Sequence, residues 1–171
     1  MTEFKVEPLG PRHNRNAFSC GVPALDRYLQ KQARQDVSKG VAAAFVITAD
    51  GATIAGFYTL SSSLINLRDL PDDFVRTLPR YPDVPATLLG RLAVASGFRG
   101  QGLGESLLID AMRRVLRTTR DVATTAIVVD AKDDSALQFY LRHDFVPLPD
   151  QQSRLVFRLK KIAKRFGAPS E

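Results

Sequence analysis

The chain of 171 residues contains no tryptophan, one cysteine and two histidines. With Cys20 alone, neither an intrachain disulfide nor a thiolate zinc site can be built from this chain. His13 and His143 stand far apart and neither has metal-ligand spacing, so no metal site is expected. Cys20, beside Gly21, reads as a small buried residue in preference to a nucleophile. Long apolar runs are missing as well: none approaches the roughly 20 residues that a bilayer-spanning helix needs. Met1 to Arg15 is polar and charged, without the apolar stretch and small-residue cleavage site of a secretory signal. The expectation is a cytoplasmic protein with no membrane association.

The length suits one domain, residues 1–171, with a single substantial core. A composition 44% hydrophobic and 25% charged is that of an ordinary globular protein. Lysine and arginine outnumber aspartate and glutamate 24 to 18, a formal charge of +6. That excess favours polyanionic partners such as nucleic acid or a phosphorylated cofactor, although solubility alone would also account for it.

Along the chain, Phe4 and Val6 alternate with polar residues as a short strand running into the Pro8 to Pro11 turn. A helix is expected between Gly21-Pro23 and Gly40, with Leu25, Tyr28, Leu29 and Ala33 as its buried stripe. Ala42 to Thr48 and Ile54 to Leu60, separated by Asp50-Gly51, form a hairpin. Ser61 to Pro85 is less regular, with a brief helix from Pro71 to Leu78 and an extended proline-rich stretch after it. This segment reads as an insertion lining a site or covering an edge, or simply as a long connection. It is equally suited to burial against a second subunit of a homodimer and to shaping an acceptor groove. Leu88 to Ala95 is an apolar strand. Leu103, Leu107, Leu108, Ala111, Met112, Val115 and Leu116 then keep helical spacing, with Arg113, Arg114 and Arg117 near the helix end, where cations suit the dipole. Strands are expected at Ala126 to Val129, Phe145 to Leu148 and Ser153 to Lys160, and a helix at Ser135 to Arg142. The tail KKIAKRFGAPSE is expected to fray. The order of elements predicts an α/β (α+β) fold, a central mixed sheet covered by helices on both faces.

The chemistry is concentrated between the strand at Leu88 and the helix at Leu103. A strand, a glycine-rich turn and a helix present backbone N–H groups at the positive end of a helix dipole, a ready site for a pyrophosphate. A P-loop would place lysine and then serine or threonine after the last glycine, but Gly104 is followed by Glu105 and Ser106. A dinucleotide fold needs G-x-G-x-x-G, whereas Gly100-Gln101-Gly102-Leu103-Gly104 is G-x-G-x-G and follows a hairpin, even though Asp130 can mimic the ribose-binding acid. What remains is R-x-x-G-x-G, Arg99 to Gly104, directly after an apolar strand.

At these residues the chain resembles the GNAT superfamily of acetyl-CoA-dependent N-acetyltransferases, whose sheet is mixed and mostly antiparallel. The resemblance implies that the backbone of Leu92, Ala93 and Val94 pairs with the pantetheine arm of acetyl-CoA. It also implies that Arg99, Gly100, Gln101, Gly102, Leu103 and Gly104 hold the pyrophosphate. Further matches, at Phe18-Ser19-Cys20-Gly21 with Leu25-Asp26 and Leu29, Gly56 to Ser61, Leu89 to Val94, Asp130-Ala131 and Phe139-Tyr140, are closest to the GNAT toxins of bacterial toxin–antitoxin pairs. Members of that subgroup acetylate the amine of an aminoacyl-tRNA and so stop translation. A ribbon-helix-helix antitoxin, whose tail wraps the enzyme, restrains them. The resemblance places Tyr140 near the cofactor sulfur and Phe139 among the cofactor contacts. One departure stands out: the family's F-Y-x-x-x-G-F segment has Asp144 in place of its glycine.

Amide formation from a thioester requires an unprotonated amine, donors for the developing oxyanion and a proton for the departing thiolate. Tyr140 is the candidate acid, against the plainer alternative that it packs beside Phe139. The Val94 backbone N–H is the candidate oxyanion donor. No base is evident: Glu105, Asp110, Asp130, Asp133 and Asp134 all fit surface or capping roles better. For tRNA the sequence offers Arg76, Arg80, Arg91, Lys31, Arg34, Lys39 and the basic tail. Arg91 can equally satisfy a buried carboxylate. The primary expectation is acetyl transfer from acetyl-CoA to aminoacyl-tRNA. The rivals are a GNAT enzyme for a protein N-terminus, polyamine or small amine, and a non-catalytic acyl-CoA or nucleic-acid-binding module.

Overall fold

A computed structural model describes residues Thr2 to Gly167. The strands are β1 (Lys5–Pro8), β2 (Ala43–Thr48), β3 (Gly56–Asn66), β4 (Asp83–Val94), β5 (Ala126–Asp130), β6 (Val146–Leu148) and β7 (Gln151–Arg158). They form one seven-stranded sheet in the order β1-β2-β3-β4-β5-β7-β6. The β1–β2, β2–β3, β5–β7 and β6–β7 pairs are antiparallel and β4–β5 is parallel, which gives the mixed, mostly antiparallel sheet expected. The helices are α1 (Pro23–Arg27), α2 (Ala33–Ser38), α3 (Asp72–Val75), α4 (Leu103–Thr118), α5 (Asp134–Arg142) and α6 (Leu159–Phe166). Among the described residues no helix is long and apolar enough to cross a membrane. By contacts the chain divides into two compact units, Met1–Ser61 with Gly90–Ala111 and Ser62–Leu89 with Met112–Glu171.

In the first unit, the single helix expected after Gly21 is α1 and α2 joined by one π turn, Tyr28–Gln32, closed by the Ala33 N–H on the Tyr28 carbonyl. The wider turn brings residues five apart onto one face. Tyr28, Leu29 and Ala33 are accordingly all buried, together with Phe18, Phe57 and Val46. The β2–β3 hairpin turns at Asp50-Gly51, where Gly51 takes φ 81°. Asp50 accepts from the Ala52 and Thr53 N–H groups at 2.8 and 2.7 Å and from the Thr53 hydroxyl at 2.8 Å. These donors, the Ala52 N–H first, hold its carboxyl well below the usual carboxylate range. The aspartate thus supplies the turn bonds that fix the hairpin register.

The second unit packs Ile65, Leu70, Phe74, Val84, Val128 and Val156. Here the structure differs from expectation. Much of Ser61 to Pro85 is strand, since β3 runs on to Asn66 and β4 begins at Asp83, five residues before Leu88. Ser61 to Ser63 obscured the first and prolines the second, yet Pro82 and Pro85 sit where only a carbonyl is required. Pro82 accepts from Leu67 N–H at 3.0 Å, and Pro85 from Thr125 N–H at 2.9 Å. The basic tail does not fray over its first half: Leu159 to Phe166 is helix α6, with Ile162 wholly buried. Burial of one such side chain contributes about 1.5–3 kcal/mol, enough to dock a short charged helix. The last four tail residues, Ala168 to Glu171, lie outside the described residues.

The Asp144 departure has a clear structural answer. Asp144 adopts φ 70°, the left-handed region that glycine takes at little cost. Its N–H bonds the Leu141 carbonyl and the Phe145 N–H bonds the Tyr140 carbonyl, both at 3.1 Å. The rings of Tyr140 and Phe145 meet at 5.3 Å. This is a Schellman ending of α5 with its usual apolar contact. Aspartate is among the few residues that tolerate this conformation, and its carboxylate is held by Arg165 of α6 at 2.7 Å. Asp144→Ala is expected to lose about 1 kcal/mol, and Asp144→Gly to stay within about 0.5 kcal/mol of the parent, in urea unfolding. Equal losses in both variants would move the effect from the backbone to the Arg165 ion pair.

Candidate active site

After β4 the chain makes a short 3-10 turn, Ser96–Phe98, and enters the glycine loop. Two backbone bonds fix this departure: Ala95 N–H to the Ala55 carbonyl and Ser96 N–H to the Ser19 carbonyl, both 2.8 Å. Gly100 and Gly102 have φ 81° and 74°, and a Cβ on either would meet nothing within 4 Å. Glycine is therefore needed for backbone shape, and the space beside it is open. Ser106 N–H is the first of α4 to bond back, to the Gly102 carbonyl at 3.1 Å. The N–H groups of the turn before it are left to an external acceptor, at the positive end of a 16-residue helix. The loop has the shape and polarity to receive an anion on its backbone.

The cofactor residues taken from the sequence fall into place unevenly. Ala93 is buried, and Leu92 and Val94 are half-buried on β4, while Gly100, Gln101 and Gly102 are exposed and Leu103 is buried at the start of α4. Arg99 behaves differently from its neighbours, because its guanidinium donates to the Cys20 carbonyl. Cys20 is buried, and its N–H is held by Asp26 at 2.9 Å. Gly21 turns the chain at φ 84°, and a Cβ there would come within 3.1 Å of the Arg99 guanidinium. The Phe18 to Gly21 segment is therefore the mooring of the glycine loop.

Gly56 on β3 is a contributor that spacing alone did not reveal. A Cβ on it would lie 2.8 Å from the Ala93 carbonyl, 3.0 Å from Leu107 and 3.2 Å from Ile47. The signals in the sequence were a glycine inside a strand and the resemblance at Gly56 to Ser61. Arg91, offered for tRNA or a buried carboxylate, lies with its guanidinium 3.5 Å over the Tyr28 ring. Tyr28 donates to Asp36 at 2.8 Å, and Gln32 donates to the other oxygen at 2.9 Å. Burial, then the bond to Asp36, push the Tyr28 phenol up to about 12. The Gln32 and Tyr28 bonds lower Asp36.

In the second unit, Tyr140 on α5 is 6% exposed and Phe139 is half-buried. The Phe139 ring meets Tyr140 edge-on at 5.2 Å and His143 at 4.8 Å. Burial alone raises the Tyr140 phenol well above its ordinary value, so it stays protonated throughout the physiological range.

Residues 40–147 match the family model for the acetyltransferase (GNAT) domain. The chain belongs to the GNAT acetyltransferases. Among curated relatives, a tRNA-acetylating toxin of Mycobacterium tuberculosis (strain ATCC 25618 / H37Rv) is 38% identical over 151 residues, 88% of this chain and 89% of that protein. Among solved structures, AtaT complexed with acetyl-methionyl-tRNAfMet superposes with a TM-score of 0.88 at 26% identity, over 96% of this chain and 99% of the other. AtaTR bound with AcCoA gives 0.85 at 27% identity, over 97% and 99%.

For a GNAT enzyme the remaining question at the site is the base, and the carboxylates named from the sequence are mostly occupied. Asp110 accepts the hydroxyl of wholly buried Tyr58. Asp130 pairs with Arg154 at 3.1 Å, and Asp133 caps α5 by accepting from Ala136 N–H at 2.8 Å. Glu105 and Asp134 are exposed.

Two outcomes follow from this packing. Gly56→Ala should destabilise the protein by about 1–3 kcal/mol in urea unfolding, because the nearest obstacle is backbone that cannot turn aside; an unchanged midpoint would show that β3 can withdraw freely. The fold prefers the neutral phenol of Tyr28, so its contribution is complete below about pH 10 and is lost as pH rises through about 12. Melting temperature should therefore fall across that window, and Tyr28→Phe should flatten part of the fall.

Proposed function

We propose that this GNAT chain is a toxin that transfers acetyl from acetyl-CoA to the α-amine of aminoacyl-tRNA and so blocks translation. The observation that carries the reading is the open glycine loop at the start of α4, in a protein of net charge +6 similar to a tRNA-acetylating toxin. We take residues 1–171 as one GNAT domain, and a ribbon-helix-helix antitoxin as its restraining partner.

The residues present fit the donor. Left-handed Gly100 and Gly102 leave room for a bulky anion, and the amides from Arg99 to Gly104 are suited to its pyrophosphate. Arg99 serves through its backbone and by mooring the loop, its guanidinium being engaged with Cys20. Leu92, Ala93 and Val94 align the pantetheine arm through their backbone; the parallel register of β4 with β5 ends at Leu89↔Val129, and β4 continues to Val94. Phe139 packs beside the cofactor. When bound, acetyl-CoA supplies the acyl group as a thioester.

The chain's own groups then share the remaining tasks. Val94 N–H donates to the developing oxyanion, and Tyr140 donates its phenolic proton toward the departing sulfur. The attacking nitrogen gives up one proton as the amide forms and the thiolate gains one, so the phenol is restored from that nitrogen through solvent. A phenol kept protonated by burial is a donor at every working pH and cannot be the base. Water takes the amine proton, since the α-amine, with an unperturbed pKa near 8, is already partly neutral.

The test is transfer of labelled acetyl from acetyl-CoA to a pool of charged tRNA. The wild type should label tRNA. Tyr140→Phe should bind acetyl-CoA but lose on the order of 10²-fold or more in turnover. Gly102→Glu should show no calorimetric binding of acetyl-CoA, because its side chain fills the cradle. Normal turnover by Tyr140→Phe would return that residue to core packing. No label on tRNA with acetyl-CoA still bound would send the acceptor search to protein N-termini, polyamines and other small amines.

A further inference from the structure

Helix α6 carries four cations in eight residues, Lys160, Lys161, Lys164 and Arg165, and no acid. Lys164 and Arg165, in the last turn, suit the helix dipole, but two features show that the charge as a whole exceeds what the helix itself uses. Lys160 and Lys161 sit near its start, where the dipole opposes positive charge. The pairs Lys160/Lys164 and Lys161/Arg165 are four residues apart and Lys161/Lys164 three apart, spacings at which like charges repel. What holds α6 in place is apolar packing and one ion pair: Ile162 is wholly buried, the Phe166 ring lies beneath the Arg113 guanidinium at 5.0 Å, and Arg165 binds Asp144 at 2.7 Å.

That last contact joins α6 to the final turns of α4, Met112 to Thr118, which carry Arg113, Arg114 and Arg117 and again no acid. Lys161, Lys164 and Arg165 also line an open cleft of about 660 Å³, whose one acid, Asp144, is already held by Arg165 at 2.7 Å. Among the described residues, no carboxylate forms an ion pair with Arg113, Arg117, Lys160, Lys161 or Lys164.

We propose that the face built by α6 and the last turns of α4 is a docking surface for the phosphate backbone of tRNA. This rests on the acceptor proposed above and adds to it a part of the chain that binds the body of that acceptor. Solubility requires no clustering, since interspersed charges of both signs achieve it. A protein partner is disfavoured by the surface chemistry, because protein interfaces are depleted in lysine and centred on apolar residues. In the cleft Phe145 and Phe157 are buried and Val146 is the exposed large apolar side chain. Several unpaired point charges on one face suit a polyanion, whose binding is additive over contacts and driven by counterion release.

The experiment is fluorescence anisotropy of uncharged tRNA against salt, for the wild type and for the triple variant Lys160→Gln, Lys161→Gln, Lys164→Gln. These side chains are exposed, and matching melting temperatures will confirm that the fold is intact. The triple variant should weaken binding on the order of tenfold and lower the slope of log affinity against log salt by about 2–3. Arg117→Gln, on α4, should lower the slope by about 1 without touching α6. In acetyl transfer the triple variant should raise the KM for charged tRNA while turnover at saturation and acetyl-CoA affinity stay unchanged. Wild-type affinity and slope in the triple variant would overturn the proposal. So would a slope loss found instead on replacing Lys31 and Lys39, with acceptor chemistry left intact in both cases. A wild type that binds no tRNA at all would overturn the acceptor reading together with this surface.

Discussion

The constraint on which the glycine loop, the proposed donor site, rests is the approach of β3 to β4 at Gly56. An added Cβ would stand 2.8 Å from the Ala93 carbonyl and 3.0 Å from the Leu107 side chain, so the two strands meet there at backbone distance with the helix packed against them. Ala93 lies one residue before the strand ends, and Leu107 is one turn into α4. Strand end and helix start are thereby pinned on either side of the glycine loop. The bonds from Ala95 to Ala55 and from Ser96 to Ser19 continue the same attachment. A loop held at both ends keeps its amides aimed without a ligand to organise them, which lowers the ordering cost of binding.

Much of this was legible in the sequence because it obeys simple periodicities. The apolar spacing from Leu103 to Leu116 gave α4, the two apolar runs either side of Asp50-Gly51 gave the hairpin, and the glycines at 100 and 102 are left-handed as the motif requires. The extension of β3 to Asn66 was hidden by Ser61 to Ser63, which interrupt the apolar run, and the start of β4 at Asp83 by prolines of which only the carbonyls are used. Helix α6 was hidden because its stability comes from Ile162 and Phe166 packing on residues distant in sequence, while its local charge pattern argues against a helix.

The site shows the same division. The identity of its backbone elements follows from the motif, but side-chain partners do not. Nothing in the spacing says that Arg99 reaches back 79 residues to Cys20, or that Arg91 settles over Tyr28 and so biases the Tyr28–Asp36 hydrogen bond. Such pairings depend on three-dimensional proximity between segments whose sequences are individually ordinary. They also change how arginines should be weighed: a cation beside a glycine motif can be scaffold, and the clustered ones far along the chain can be surface.

The ending of α5 shows how a family position can change its residue and keep its shape. Aspartate at 144 reproduces the glycine conformation and simultaneously gives the chain's last helix an anchor, through Arg165. The cap of the helix that carries Tyr140 is therefore completed by a residue of α6, 21 positions further along the chain. In a lineage with aspartate here, a change at residue 165 acts on the helix ending at 144, and the two positions are constrained to evolve as a pair.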